Sequence, residues 1–179
     1  LWSFDSEPEA MPKVLKSAGE LQWDEGSANG PIALKCSTGA WATALLPASG
    51  RGGFVMKIVV VRGASIMAGI APADADISGC FFRRAGHHIF IASMTCYGHT
   101  TNGRAIAGLP RRPLAAEGLY IRYVPKPRPE LSVSLDGKSF TPVPAEFNHA
   151  NYVPCVSLRN SDVSVQLEDL GASQHDTSS

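Results

Sequence analysis

Apolar and polar residues alternate with a period of two in several runs along the chain beyond residue 30. In Leu131-Ser-Val-Ser-Leu135 and in Val163-Ser-Val-Gln-Leu167 every second residue is apolar. In extended backbone that spacing puts the apolar side chains on one face and the polar ones on the other. Comparable runs bounded by turn residues predict strands over residues 32–36, 41–46, 54–61, 65–71, 88–92, 118–124, 131–135, 152–158 and 163–167. A succession of short strands predicts an all-β sandwich or barrel. Asp136-Gly137 follows one run directly and predicts a tight turn returning the chain through Lys138, Ser139 and Phe140. Asn160-Ser-Asp162 reads as a similar break between the last two strands.

The remaining segments predict less. Residues 8–19 have helix-compatible spacing at Met11, Val14 and Leu15, limited to a turn or two by Pro8 and Pro12. Residues 95–113 form the longest stretch without a clear strand pattern; they are rich in Gly, Thr, Asn and Arg and are a candidate binding surface. Beyond Leu170 the chain is small and polar, with nothing to bury, and a frayed tail is expected. No repeat of 20–50 residues is detectable, which argues against a propeller or solenoid.

Composition narrows the function classes. At 179 residues with 44% hydrophobic and 18% charged content, the chain has apolar material for one compact domain. Lys plus Arg balances Asp plus Glu at 16 each, so the basic footprint of a nucleic-acid or anionic-membrane binder is missing and nucleic acid is not expected as a partner. No apolar run reaches the ~20 residues of a membrane helix, and no membrane association is expected. The four cysteines are irregularly spaced and no Asn-x-Ser/Thr acceptor occurs. Free buried thiols and an intracellular, cytoplasmic location are the expectation. The chain opens on Leu1, and part of a larger multidomain protein is expected.

The sequence patterns that would carry catalysis are incomplete. Gly63-Ala-Ser-Ile-Met67 fails the nucleophile-elbow pattern at its last position, and Gly50-Arg-Gly-Gly-Phe-Val55 stops short of a dinucleotide fingerprint. His87, His88, Cys96 and His99 offer zinc-ligating side chains, but only Cys96 and His99 have a knuckle-like interval. Asp74-Ala-Asp76 lacks the further oxygen ligands of a calcium loop and reads as a cap or turn. Cys155, near His149 and Asn151, lies in a predicted strand with no helix dipole to activate it and reads as a core cysteine. No enzyme activity, metal or cofactor is expected.

Four segments in order resemble the SPRY/B30.2 family across residues 32–170. Phe54-Val-Met-Lys-Ile-Val-Val-Val61 is similar to the strand closing the first half of that family's sandwich, and Ser65-Ile-Met-Ala-Gly-Ile-Ala71 to the strand after it. Gly118-Leu-Tyr-Ile-Arg-Tyr-Val124 with Leu131-Ser-Val-Ser-Leu-Asp-Gly137 is similar to its strand pair ending in an Asp-Gly turn. Tyr152-Val-Pro-Cys-Val-Ser-Leu158, followed by the run ending at Leu167, is similar to the closing pair. The resemblance implies a bent, jelly-roll-like antiparallel β-sandwich over residues 31–170, with a leader carrying a short N-terminal helix or turn over residues 1–30 and a disordered tail over 171–179.

For function, the resemblance implies a non-catalytic module that binds a protein or peptide through loops at one end of the sandwich. Carried onto this sequence, the binding loops are Val61-Arg-Gly-Ala64, giving Arg62, Gly63 and Ala64, and Arg159-Asn-Ser-Asp162, giving Arg159, Asn160 and Ser161. Cys80 and Phe81 form a third wall. Relatives often carry an aromatic residue in the last loop, where this chain has Asn160, so a different ligand is expected. The planar guanidinium forks of Arg62 and Arg159 suit carboxylates or exposed carbonyls, which points to an acidic or polar peptide. Two solvated surface arginines are the competing reading. A carbohydrate-binding, lectin-like sandwich is the alternative function, with Tyr97-Gly-His-Thr-Thr-Asn-Gly103 as the polar loop that would hold a sugar.

Overall fold

The computed structural model describes residues 13–28, 30–48, 52–78, 87–92, 95–100, 103–114 and 118–171. Among them are twelve strands and no helix. In chain order these are β1 (Lys16–Ala18), β2 (Gln22–Asp24), β3 (Ile32–Cys36), β4 (Ala42–Leu45), β5 (Phe54–Pro72), β6 (His87–Ala92), β7 (Thr95–Thr100), β8 (Arg112–Pro113), β9 (Leu119–Val124), β10 (Glu130–Ser134), β11 (Thr141–Pro142) and β12 (Tyr152–Asp169). All described pairings are antiparallel.

Two long strands organise the rest. β5 and β12 pair with each other along nearly their whole length, from Phe54 opposite Asp169 to Pro72 opposite Tyr152. Their far halves belong to one layer, in the order β2, β3, β12, β5, β9, β10, β11. Their near halves belong to the other, in the order β1, β4, β12, β5, β6, β7, β8. The result is a bent antiparallel β-sandwich whose two layers share β5 and β12 as a fold line.

The expected breaks at residues 61–64 and 159–162 are therefore not loops: each is the middle of one continuous strand. Gly63 and Asn160-Ser-Asp162 are local turn signals, but here each segment finds its hydrogen-bonding partner in the other, and tertiary pairing overrides local propensity. The N-terminal segment also differs from expectation. Residues 13–19 carry β1, paired with β4, in place of a helical turn; residues 8–12 lie outside the described residues. Within 95–113, β7 and β8 replace part of the expected loop.

The core follows the alternation. β3 and β9 bury every second residue. Phe54, Met56 and Ile58 from one half of β5 and Ile66, Ala68 and Ile70 from the other join one cluster between the layers. Each such side chain contributes about 1.5–3 kcal/mol on leaving water. A second, smaller cluster forms on the opposite face of β12, where Leu45, Ala71, Val153 and Cys155 pack with Ala75 and Ile77. Residues 152–158 are consequently buried on both faces. The polar atoms caught there are paired: Thr43 Oγ1 and Ser157 Oγ lie 2.8 Å apart. Cys36, Cys96 and Cys155 are free and buried.

Candidate functional site at the bend

Two local departures from regular strand make the fold line. β5 carries one residue more than β12 at this point, because Arg62 faces Asp162 while Val60 faces Val163. Val61 is that extra residue and is 69% exposed, as an unpaired bulge residue is expected to be. On β12, Asn160 adopts a left-handed backbone, φ 46°. Asn tolerates that region better than most non-glycine residues, since its short side chain can bond locally. Here the Asn160 N–H donates to Thr38 O at 2.9 Å, and with the side-chain amide oriented so that its nitrogen faces the two carbonyls it donates to Ser37 O at 3.1 Å and to Thr38 O at 3.2 Å. The connection between β3 and β4 is thereby clamped to the bend.

The sequence-derived residues divide into those that reach the surface and those that hold it. Arg62 is exposed; its Nε lies 3.4 Å from Asp162 Oδ2, its Nη2 3.4 Å from Asp162 Oδ1, and its Nη1 donates to Asn160 O at 3.5 Å. These are long bonds on an exposed pair, worth about 0.2–1 kcal/mol. Lys35 faces Asp162 from the other side in β3, so one carboxylate stands between two cations in the register. Arg159 is exposed and stacks over Trp41, with its Cζ 5.0 Å from the ring. Among the described residues its guanidinium has no hydrogen-bond partner.

Ser161 is fully buried; its hydroxyl donates to Arg159 O at 2.8 Å, with Ser65 O at 3.3 Å within reach of the same proton, bracing the bend from inside. Gly63 lies opposite Ser161, and Ala64 follows it within β5. Cys80 and Phe81 lie outside the described residues. An open hollow of about 310 Å³ adjoins the clamp, lined by Glu20, Leu21, Gln22, Ser37 and Thr38.

Trp41, Lys35 and the Ser37–Thr38 carbonyls were not among the residues singled out from sequence. Trp41, at the start of a predicted strand, was the available signal, since a tryptophan beside a turn commonly marks a surface contact. Burial pushes the Cys155 thiol well above the ordinary thiol range, opposite to the shift a nucleophile needs. Among the described residues, no three His, Cys, Asp or Glu side chains gather as a metal site would require.

No family model and no curated protein matches the sequence. Among solved structures, the chain is similar to the SPRY domain of human HERC1, with a TM-score of 0.50 and 12% identity over 84% of this chain and 95% of that one. The likeness is one of fold, a bent antiparallel β-sandwich of the kind seen in that SPRY domain. The carbohydrate recognition domain of Emp46p in its potassium-bound form gives a TM-score of 0.49 at 12% identity, over 86% of this chain and 88% of that one. That of Emp47p gives 0.42 at 11%, over 86% and 87%. In this SPRY-type sandwich the surface just described lies where both shared strands turn from one layer into the other.

Proposed function

We propose that this domain is a non-catalytic protein-interaction module, whose partner segment docks at the bend with a carboxylate or a row of backbone carbonyls against Arg159. The observation that carries the reading is the state of that arginine. Its guanidinium carbon lies over the Trp41 ring, 5.0 Å from the centroid, while its N–H donors have no partner among the described residues. The ring contact restrains the side chain, so less freedom is lost when an acceptor arrives. Arg62 and Lys35 extend the cationic character of the same region, tempered by Asp162. The SPRY-type fold supports the reading, since it holds such a surface on a rigid scaffold. Three free buried cysteines fit an intracellular setting, within a larger protein, better than a secreted one.

The test is affinity selection of peptides on the 179-residue protein, followed by calorimetry with the selected sequences. Charge-assisted bonds of about 1.5–3 kcal/mol predict that Arg159→Ala weakens binding about tenfold or more. Trp41→Ala is expected to act in the same direction, and Arg62→Ala more weakly because its fork is already shared with Asp162. Undiminished binding to both Arg159→Ala and Trp41→Ala would remove the site. Saturable, calcium-dependent binding on a glycan array, with no peptide selected, would favour the lectin-like alternative.

A further inference from the structure

The connection between β2 and β3 gathers three backbone carbonyls around one point. Glu25 O, Ser27 O and Gly30 O all accept from the Lys13 ammonium, the last at 3.1 Å. An ammonium carries three donors and no acceptor, so its whole bonding capacity is met here by neutral oxygens. The backbone of the same residue is fixed beside them, since Lys13 N–H donates to Glu25 Oε1 at 3.1 Å. Two residues on, Leu15 N–H donates to Leu45 O at 2.8 Å, and β1 begins its pairing with β4. The loop also keeps its shape through bonds that do not involve Lys13. Gly26 N–H donates to Asp24 Oδ1 at 3.0 Å, and Gly30 N–H donates to Ser27 O at 3.1 Å. Residues 22–28 are exposed, which leaves the loop open to ions in solution.

We propose that the carbonyls of Glu25, Ser27 and Gly30 form a receptor for one ammonium-sized monovalent cation, which the chain fills with Lys13 and which passes to a free cation when that lysine's charge is removed. Converging carbonyl dipoles take the place of a cation's hydration shell. The sequence around them favours positive charge: residues 20–30 contain Glu20, Asp24 and Glu25 and no lysine or arginine, so the cation that fills the loop comes from outside it. Ligand type selects the ion. A divalent cation such as calcium takes six or more oxygens, with carboxylates among them. Here the Asp24 carboxylate bonds the Gly26 backbone and that of Glu25 bonds the Lys13 backbone, and the atoms that meet the ammonium are carbonyls only. Ammonium and potassium ions are alike in size and are satisfied by neutral oxygens.

In the intact chain the tethered cation has the advantage. Lys13 is already held by its backbone bond to Glu25 and by the pairing of β1 that follows it, so its ammonium enters the receptor with little freedom left to lose, whereas a free ion gives up its own. Filling the receptor with Lys13 fastens the lead-in to β1, a strand of three residues that buries little apolar surface of its own. The receptor stands apart from the partner site, because none of its residues belongs to the surface around Arg159, and the failure of either reading leaves the other in place.

The experiment compares thermal melts of the 179-residue protein in choline, ammonium and potassium chloride at equal ionic strength. The wild type should melt at the same temperature in all three, because Lys13 occupies the receptor. Lys13→Ala empties it, and should melt about 2–4 °C lower in choline chloride. Most of that loss should be recovered, saturably, as ammonium or potassium replaces choline, which is too large to enter. Lys16→Ala is the control: the Lys16 ammonium donates to one carbonyl, Ala75 O at 2.7 Å, and its removal should create no response to either ion. Lys13→Ala without recovery, an equal response in Lys16→Ala, or an equal response in the wild type overturns the receptor. NMR of the wild type needs no variant to fold. The Lys13 ammonium protons should exchange with water about tenfold or more slowly than those of the exposed Lys126 and Lys138, and exchange at the rate of those two would equally overturn it.

Discussion

Gly118 immediately precedes β9 and lies against β5, with φ +89°. A Cβ there would fall 2.1 Å from Ile58 O, a backbone atom that cannot move without breaking the ladder between β5 and β9. Gly118→Ala therefore combines a left-handed backbone with a direct clash, and should cost about 3 kcal/mol. Urea denaturation would show this as a lowered midpoint at unchanged slope. Asp136 illustrates the opposite case, a residue whose role is local. Its Oδ1 accepts from Ser134 Oγ at 2.8 Å, Lys138 N at 2.8 Å and Ser139 N at 2.9 Å, and these bonds hold its carboxyl down at about 2. A depressed carboxylate stabilises the fold above its ordinary value near 3.8, and that contribution is lost as pH falls toward about 2. Wild-type stability should thus fall across that window through Asp136, and Asp136→Asn should lose that part of the pH dependence in acid titrations followed by circular dichroism. The Asp-Gly turn was legible in the sequence because every bond it needs comes from within three residues. The need for glycine at 118 was not, because it arises from a strand some sixty positions away.

At the scale of elements, apolar runs exposed most of the strands and missed short, polar or glycine-bearing ones. β2 exposes all three of its residues, so no pattern separates it from a loop. β7, Thr-Cys-Tyr-Gly-His-Thr, carries a glycine with φ +72°, which reads locally as a breaker. Gly98 is there because the returning chain passes over it: a Cβ would meet Leu109 O at 2.4 Å. The continuity of β5 and β12 was hidden for a related reason. The bend residues look like turns in each strand alone and become strand only when the two are paired. Arg62, Arg159 and Asn160 stand out in the sequence only as members of expected loops, and the carbonyls of Ser37 and Thr38 that clamp the bend do not stand out at all. Asn160 is thus a structural residue as well as a surface one. Asn160→Ala loses both the tolerance of positive φ and the two amide bonds and should cost about 1–2 kcal/mol; Asn160→Gly keeps the backbone geometry and should cost less. Equal losses in thermal melts would mean that the left-handed conformation is not what the asparagine supplies.

For the whole molecule, the sharing of β5 and β12 has a thermodynamic consequence. In a sandwich whose sheets meet only through side chains, one sheet can loosen while the other keeps its ladders. Here each layer has the same two strands at its centre, paired continuously from Phe54 opposite Asp169 to Pro72 opposite Tyr152. Separating the layers would require cutting that pairing at the bend, where Ser161, Asn160 and Arg62 cross-link the turn. A single cooperative transition is expected. Leu158 lies in the layer that contains β4, and Val165 in the layer that contains β3; both are buried in the same cluster. Leu158→Ala should lower stability by about 2–4 kcal/mol and Val165→Ala by a smaller amount, in proportion to the volume removed. Each variant should shift circular dichroism and tryptophan fluorescence by the same increment, whichever layer carries the change. Because the partners in this central pair are about a hundred residues apart, folding should also be slow for a domain of this size, in the millisecond-to-second range. If Leu158→Ala splits the melt into two steps while Val165→Ala does not, the layers are thermodynamically separate, and the two long strands do not couple them.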